Sequence, residues 1–319
     1  MRALVVSQLS PDLSGTALIE MPEPAATPGK VLIRVKAAAL NFPDLLMTKG
    51  EYQLKPPLPF SPGMEVAGEV ISGDGFAPGD EVVAGTRLGG FADVVAVDAA
   101  AVRRKPAHLS FAQAAGVGAA YLTAYVALVR LARVEAGEWV LIHGATGGVG
   151  LAAVDLAKGL GARVIATSRS PEKLKVVAEE YGVDATLPAP GFRDAVKELT
   201  GGGADVIYDP VGGDVFDESV RSIAFGGRLC VIGFTSGRIA TVSTNMPLIK
   251  GFSVVGVRAG EYGRQFPERG RENQEAIWAL ANEGRIRPRV HAEYPLADWR
   301  AAFDAMARSD MVGKIVLVP

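Results

Sequence analysis

One segment restricts the fold more than any other. Trp139-Val140-Leu141-Ile142-His143 is a continuous apolar run; it ends at Gly144, enters the small-residue stretch Ala145-Thr146-Gly147-Gly148-Val149-Gly150, and is followed by Val149, Ala153, Leu156 and Leu160 on one helical face. That order reads as strand, tight turn, helix. The same alternation continues through Arg163-Val164-Ile165-Ala166-Thr167, a helix opened by Ser170-Pro171, Asp205-Val206-Ile207-Tyr208, Arg228-Leu229-Cys230-Val231-Ile232-Gly233 and a last strand near residues 252–257. Short strands that are apolar throughout, separated by helices, belong to a parallel sheet covered on both faces. The expected fold class is therefore α/β, with a doubly wound Rossmann sheet in the middle of the chain.

The flanks have a different grammar. Up to about Pro106 the chain is written in short strands broken by proline and glycine, Val31-Leu32-Ile33-Arg34-Val35-Lys36-Ala37 being the clearest alternation, and we expect an all-β unit there. Pro57-Leu58-Pro59-Phe60-Ser61-Pro62-Gly63 reads as a loop, and Pro78-Gly79-Asp80 as a turn. Ser110-Phe111-Ala112-Gln113 has the spacing of a capping box, which opens a helix. After residue 258 a mostly helical stretch, 265–284, leads to a final strand, Lys314-Ile315-Val316-Leu317-Val318, and this tail is expected to rejoin the first domain. The expected divisions are 1–119, 120–258 and 259–319.

Composition excludes several classes of function. The 33 basic and 35 acidic residues leave a net charge of -2, with no basic footprint for nucleic acid or an anionic membrane. Glu268-Arg269-Gly270-Arg271-Glu272 carries both signs and reads as a solvated face. No apolar run reaches membrane-spanning length. The single cysteine, Cys230, permits neither an internal disulfide nor a cysteine-rich zinc site. Placed in an apolar strand, it is expected to be inert. With no signal-peptide pattern in the first residues, the protein is expected to be cytoplasmic.

A dinucleotide fold needs a small residue at the tight turn, a glycine where backbone meets pyrophosphate, and a glycine where helix packs on strand. Ala145, Gly147 and Gly150 stand at these spacings, with alanine where the strict fingerprint has glycine. Thr146, Gly148 and Val149 complete the turn. At the end of the next strand, where proteins that bind NAD carry an acidic residue, the chain has Thr167-Ser168-Arg169, with Lys173 one turn into the following helix. Arg169 and Lys173 suit a 2′-phosphate, so NADPH is expected over NADH. Gly233-Phe234-Thr235-Ser236-Gly237 follows the fifth strand, at the carboxyl edge where open α/β sheets hold ligands, and Phe234 and Ser236 are expected to meet the nicotinamide half. The three histidines, His108, His143 and His291, are scattered, and His143 reads as a buried structural residue.

Asn41-Phe42-Pro43-Asp44, Pro59-Phe60-Ser61-Pro62-Gly63-Met64-Glu65-Val66-Ala67-Gly68, the turn 144–150 and Asp209-Pro210-Val211-Gly212-Gly213 together resemble the zinc-independent quinone oxidoreductases of the medium-chain dehydrogenase/reductase superfamily. The resemblance covers essentially the whole chain. It implies a GroES-like β domain built from both chain ends, a central Rossmann domain, an active site in the cleft between them, and a homodimer or homotetramer joined at the Rossmann sheet edge through residues 252–257. Zinc-dependent relatives have cysteine where Asn41 stands and histidine where Met64 stands, so no metal is expected. The resemblance further implies that Asn41 contacts the nicotinamide end of the cofactor or the substrate carbonyl, that Tyr52 lines the substrate pocket, that Thr123 meets the cofactor, and that Asp44 orients its neighbours. The activity implied is NADPH-dependent reduction of a quinone by hydride or electron transfer. The alternatives are an enone or enoyl-thioester reductase, a zinc alcohol dehydrogenase, and a non-enzymatic NADPH- or RNA-binding protein.

Overall fold

The fold is described from a computed structural model of the full chain, Met1–Pro319. It comprises two compact units, one made of Met1–Ala119 with Pro288–Pro319, the other of Ala120–Arg287.

In the first unit β1 (Arg2–Val6) and β2 (Thr16–Glu20) form an antiparallel hairpin. The strands β3 (Lys30–Ala39), β4 (Glu65–Gly73), β5 (Glu81–Gly85), β6 (Val94–Asp98) and β7 (Val102–Arg104) make an antiparallel sheet in which β3 pairs with both β4 and β6. This part is not all β, contrary to expectation. Helix α1 (Phe42–Lys49) follows β3, with Asn41 as its N-cap residue, Pro43 in its first turn, and Gly50 closing it at φ 74°. A proline in the first turn forfeits no helical hydrogen bond, so Pro43 starts this helix instead of breaking the chain. The capping box at Ser110 opens the short helix α2 (Phe111–Ala115), with Gln113 N–H donating to Ser110 Oγ at 3.1 Å and Ser110 N–H donating to Gln113 Oε1 at 3.0 Å. Helix α3 (Gly118–Tyr125) carries the chain from the first unit into the second.

The second unit alternates β8 (Trp139–Ile142), α4 (Gly148–Gly159), β9 (Arg163–Ser168), α5 (Pro171–Tyr181), β10 (Ala185–Pro188), α6 (Arg193–Thr200), β11 (Ala204–Asp209), α7 (Gly213–Ser222), β12 (Ile223–Val231), α8 (Asn245–Lys250) and β13 (Ser253–Gly256). The six strands are parallel, in the order β10-β9-β8-β11-β12-β13. The order reverses between β8 and β11, the switch point at which Rossmann sheets open a crevice at their carboxyl edge. Val140, Leu141, Ile142, Val164, Ile165, Ala166, Val206, Ile207 and Tyr208 are all fully buried, as strands covered on both faces require.

Helices α9 (Ala259–Gln265) and α10 (Pro267–Asn282) stay with this unit. The return to the first unit, expected after residue 258, comes at Pro288. The side chain of Arg130 accounts for part of the difference, because it donates to Asn273 Oδ1 at 2.6 Å and to Glu272 Oε2 at 2.7 Å and so holds α10 to the α/β unit. The tail then adds β14 (Val290–Pro295), α11 (Trp299–Ala307) and β15 (Lys314–Val318) to the first unit, with β15 antiparallel to β3 and Leu317 opposite Ala38. The core there gathers Leu4, Ile33, Leu40, Phe91 and Phe303, with Phe303 edge-on to both Phe91 and Trp299.

Candidate active site

Most of the expected cofactor residues lie together at the carboxyl edge of the parallel sheet. Gly144 adopts φ 55° and turns the chain out of β8; its carbonyl accepts the Gly147 N–H at 2.9 Å. Gly147 is the N-cap of α4 and has no side chain to offer the first turn, so the amides of Gly148, Val149 and Gly150 have no side-chain cap. Such an end favours an anion. A Cβ on Gly150 would lie 2.1 Å from the Gly144 carbonyl oxygen, so helix and strand approach this closely only with glycine there. This cradle fits a pyrophosphate.

The neighbouring segments are tied to the turn. Ala145 N–H donates to the Thr167 carbonyl at 3.1 Å, and the Thr146 and Ser168 hydroxyls are 3.4 Å apart. Ser170 caps α5, accepting the Lys173 N–H at 3.3 Å, and gives its own hydroxyl proton to Glu172 at 3.0 Å. Arg169 is exposed beside Ser168, and Lys173 is half-buried. On the other side of the switch point, Gly144 packs against Pro210, whose carbonyl accepts the Thr235 N–H and hydroxyl, each at 3.1 Å. Ser236 N–H donates to the Val211 carbonyl at 3.0 Å, Gly233 stands two residues beyond the end of β12, and Phe234 is 42% exposed. Asp209 Oδ1 accepts the N–H groups of Val211 and Gly212 at 2.8 and 2.9 Å, while its buried Oδ2 has no partner; burial raises this carboxyl's pKa. Thr123 is half-buried on α3.

Asn41 and Tyr52 belong to the first unit. Three strand ends meet at Asn41, because β15 and β4 both pair with the end of β3. Lys314 Nζ donates to Asn41 Oδ1 at 2.7 Å and to Glu65 Oε1 at 3.0 Å, and Asn41 Nδ2 donates to Glu65 Oε1 at 3.0 Å and to the Ala39 carbonyl at 3.2 Å. An ammonium only donates and a carboxylate only accepts, so the amide orientation is fixed by its partners. Both amide hydrogens are committed, and Oδ1 keeps one lone pair. Glu65 Oε2 also accepts the Ala119 N–H at 2.7 Å, near the start of α3. Asp44 takes the N–H groups of Asn41 and Gly63, at 2.9 and 3.0 Å, and its complete burial pushes its pKa up to about 7.

Asn41, Asp44, Glu65 and Lys314 are thus a buried polar cluster in which the cation is part of the chain. Sequence reasoning named Asn41 and gave Asp44 its orienting role, which the two backbone contacts match, but it missed Lys314. A lysine at the head of an apolar strand looks like an exposed end, and only its register against β3 shows otherwise. No group of three or more His, Cys, Asp or Glu side chains is arranged to hold a metal ion. Tyr52 is half-buried and packs with Leu54, Met64 and Leu88 around Val6, Met47 and Phe60, forming an apolar patch.

Comparison with known proteins agrees with this architecture. Residues 27–107 match the alcohol dehydrogenase GroES-like domain, and residues 148–274 match the family described as zinc-binding dehydrogenase. The quinone oxidoreductase-like protein 2 homolog of Nematostella vectensis is 38% identical over 90% of this chain and 81% of its own length. The mouse quinone oxidoreductase-like protein 2 is 36% identical over 93% and 86%. Among solved structures, a probable oxidoreductase from Mycobacterium abscessus is 40% identical with a TM-score of 0.89, covering 100% of this chain and 99% of its own. The quinone oxidoreductase of Thermus thermophilus, described also in its complex with NADPH, is 32% identical with a TM-score of 0.86 over both full chains. The CurK enoyl reductase is 27% identical with a TM-score of 0.89, covering 99% and 98%. The chain is an oxidoreductase of the zinc-independent, quinone oxidoreductase-like branch of the medium-chain dehydrogenase/reductase family.

Proposed function

We propose that this enzyme reduces quinones with NADPH. The observation that carries the reading is the uncapped glycine cradle at the start of α4 beside Ser168, Arg169 and Lys173, an anion site next to a cationic edge. In this reading the amides of Gly148, Val149 and Gly150 take the pyrophosphate, and Ser168, Arg169 and Lys173 take the 2′-phosphate. The one carboxylate in the first turn of α5, Glu172, is occupied by the Ser170 hydroxyl. Gly233, Phe234, Thr235 and Ser236 flank the nicotinamide, with Thr123 a further contact. When bound, NADPH supplies the hydride.

The committed amide hydrogens of Asn41 narrow its role. With both N–H groups spent on Glu65 and Ala39, it has only an acceptor to offer, which suits the N–H of a carboxamide and not a substrate carbonyl. Tyr52 and the apolar side chains around it suit a flat, apolar acceptor. The relatives named as quinone oxidoreductases support this substrate class. The likeness to the CurK enoyl reductase favours a second reading, reduction of an enone or enoyl thioester. Steady-state NADPH oxidation with a benzoquinone, a simple enone and an acryloyl thioester separates the two. Turnover is expected with the quinone; its absence with every quinone tried refutes the first reading.

The protein acts, in our reading, in the cytoplasm as a homodimer. β13 is an edge strand with Val254 40% exposed, and Phe225, Leu248 and Ile249 are 85, 81 and 68% exposed. Unpaired edges and clustered exposed apolar side chains favour burial against another chain. Light scattering coupled to size exclusion tests this, with a monomer mass as the refuting result.

A further inference from the structure

His143 directly follows β8 and directly precedes Gly144, and its imidazole is completely buried. Nδ1 lies 2.8 Å from Thr167 Oγ1, Nε2 lies 2.8 Å from Ser219 Oγ on α7, and the ring packs on Phe192 at 4.6 Å between centroids. The proton positions follow from the partners. Ser219 has one hydroxyl hydrogen and spends it on the Val215 carbonyl at 2.6 Å, so toward His143 it accepts, and Nε2 carries the ring proton. Nδ1 is then bare. Thr167 donates to it, because its other acceptor, the Ile142 carbonyl, is 3.5 Å away. Burial depresses the imidazole pKa to about 3, so the neutral ring persists through neutral pH.

Thr167 is held twice. Its hydroxyl is fixed by His143, and its carbonyl accepts the Ala145 N–H of the glycine turn at 3.1 Å. The next residue is Ser168, whose hydroxyl faces that of Thr146. We propose that His143 is a positioning residue of the dinucleotide site, its bare Nδ1 anchoring Thr167 and thereby setting the end of β9 against the turn 144–150. The Nε2–H contact to Ser219 holds the ring and α7 without bearing on the ligand. This inference rests on the reading of that turn as an NADPH site.

The two nitrogens can be tested separately in the full-length protein. In His143→Asn the side-chain oxygen takes the place of Nδ1 and preserves the Thr167 contact. In His143→Gln the side-chain nitrogen takes the place of Nε2 and preserves the Ser219 contact. Thr167→Val and Ser219→Ala remove the same two contacts from the other side. NADPH dissociation constants come from fluorescence titration, and melting temperatures are recorded beside them. H143Q and T167V are expected to weaken NADPH by about fivefold to tenfold, the worth of one hydrogen bond. H143N and S219A are expected to stay within about twofold of the parent. A merely structural histidine predicts that affinity follows the melting temperature in all four. Equal losses in H143N and H143Q, equal retention in both, or loss confined to H143N and S219A overturns the proposal. If the parent protein binds no NADPH, it is the cofactor reading that fails, and this inference falls with it.

Discussion

Asp44 and His143 are both fully buried, and burial drives their pKa values in opposite directions relative to neutrality. His143 binds its proton near pH 6.5 in the unfolded chain but near pH 3 in the fold. Above pH 6.5 both states are neutral there; as pH falls from 6.5 toward 3, only the unfolded state gains the proton, and stability is lost. Each unit of pH costs 2.303RT, about 1.4 kcal/mol. Asp44 binds its proton near pH 3.8 unfolded and near pH 7 folded. Below 3.8 both states are protonated; between 3.8 and 7 only the fold keeps the proton, so stability is lost as pH rises. Over 3.8–6.5 the two slopes are equal and opposite. Asp44→Asn removes one of them. Relative to the parent, this variant should gain about 1.4 kcal/mol per pH unit as pH rises from 5 to 6.5, a change of about 2 kcal/mol across that window. Below pH 5 the carboxylates whose pKa is lowered by ion pairs, such as Asp93 and Asp184, add their own slope, so the window stops there. The substitution also carries a fixed cost of about 1–3 kcal/mol, because an amide cannot accept from both Asn41 and Gly63. That cost moves the whole profile and leaves the slope alone. Urea unfolding at four pH values, followed by tryptophan fluorescence, reads the difference. Parallel profiles for parent and D44N would refute the argument, since they would mean that Asp44 is already ionised in the fold.

Three further perturbations probe the site. Gly150→Ala forces a methyl group to within 2.1 Å of the Gly144 oxygen, so the turn must open, and fluorescence titration should show NADPH affinity falling by roughly a hundredfold, ~2.7 kcal/mol. Arg169→Ala with Lys173→Ala should raise the NADPH dissociation constant by about tenfold or more and leave that of NADH nearly unchanged; equal effects on both refute the 2′-phosphate assignment. Lys314→Met leaves Glu65 charged, buried and deprived of its cation, at a cost of about 3–5 kcal/mol in urea unfolding. Adding Glu65→Leu should recover part of this loss and not all of it, because the Ala119 N–H then loses its hydrogen bond to Glu65 Oε2.

The legible part of this fold is the part whose environment is uniform. Val140 to Ile142, Val164 to Ala166 and Val206 to Tyr208 are buried on both faces, so a continuous apolar run identifies each strand without knowledge of its partner. The glycine turn is legible for a related reason: the tolerance for Cβ at Gly150 is set by Gly144, six residues away. Helix α1 was hidden by Pro43, which reads as punctuation unless its position relative to Asn41 is known. The return at Pro288 was hidden because the pattern of α10 says which face is apolar but not which unit covers it. Residues 268–272 look solvated in sequence, and nothing in that run marks the next residue, Asn273, which is buried and receives Arg130 across 143 positions.

The same distinction explains the polar cluster. Comparison of residue types at Asn41 and Met64 reveals what the chain lacks relative to zinc-dependent relatives. It does not reveal what replaces the missing charge, because the replacement lies 249 positions from Glu65. Lys314 reaches Asn41 and Glu65 only because β15 and β4 both register on the last residues of β3, Leu317 opposite Ala38 and Val66 opposite the same residue. A buried carboxylate must find a cation or a proton. Here Glu65 has the cation and Asp44, shielded and served only by backbone N–H groups, is left with the proton. The two acids differ in partner: only Glu65 is bonded to Lys314, while burial raises the pKa of Asp44. K314M therefore tests more than one salt bridge: the same ammonium donates to Asn41 Oδ1 and to Glu65 Oε1, so its loss strips both of their donor. Combining K314M with Asn41→Ala should cost less in urea unfolding than the two separate losses added together, and strict additivity would show that the ammonium does not tie the amide into the cluster.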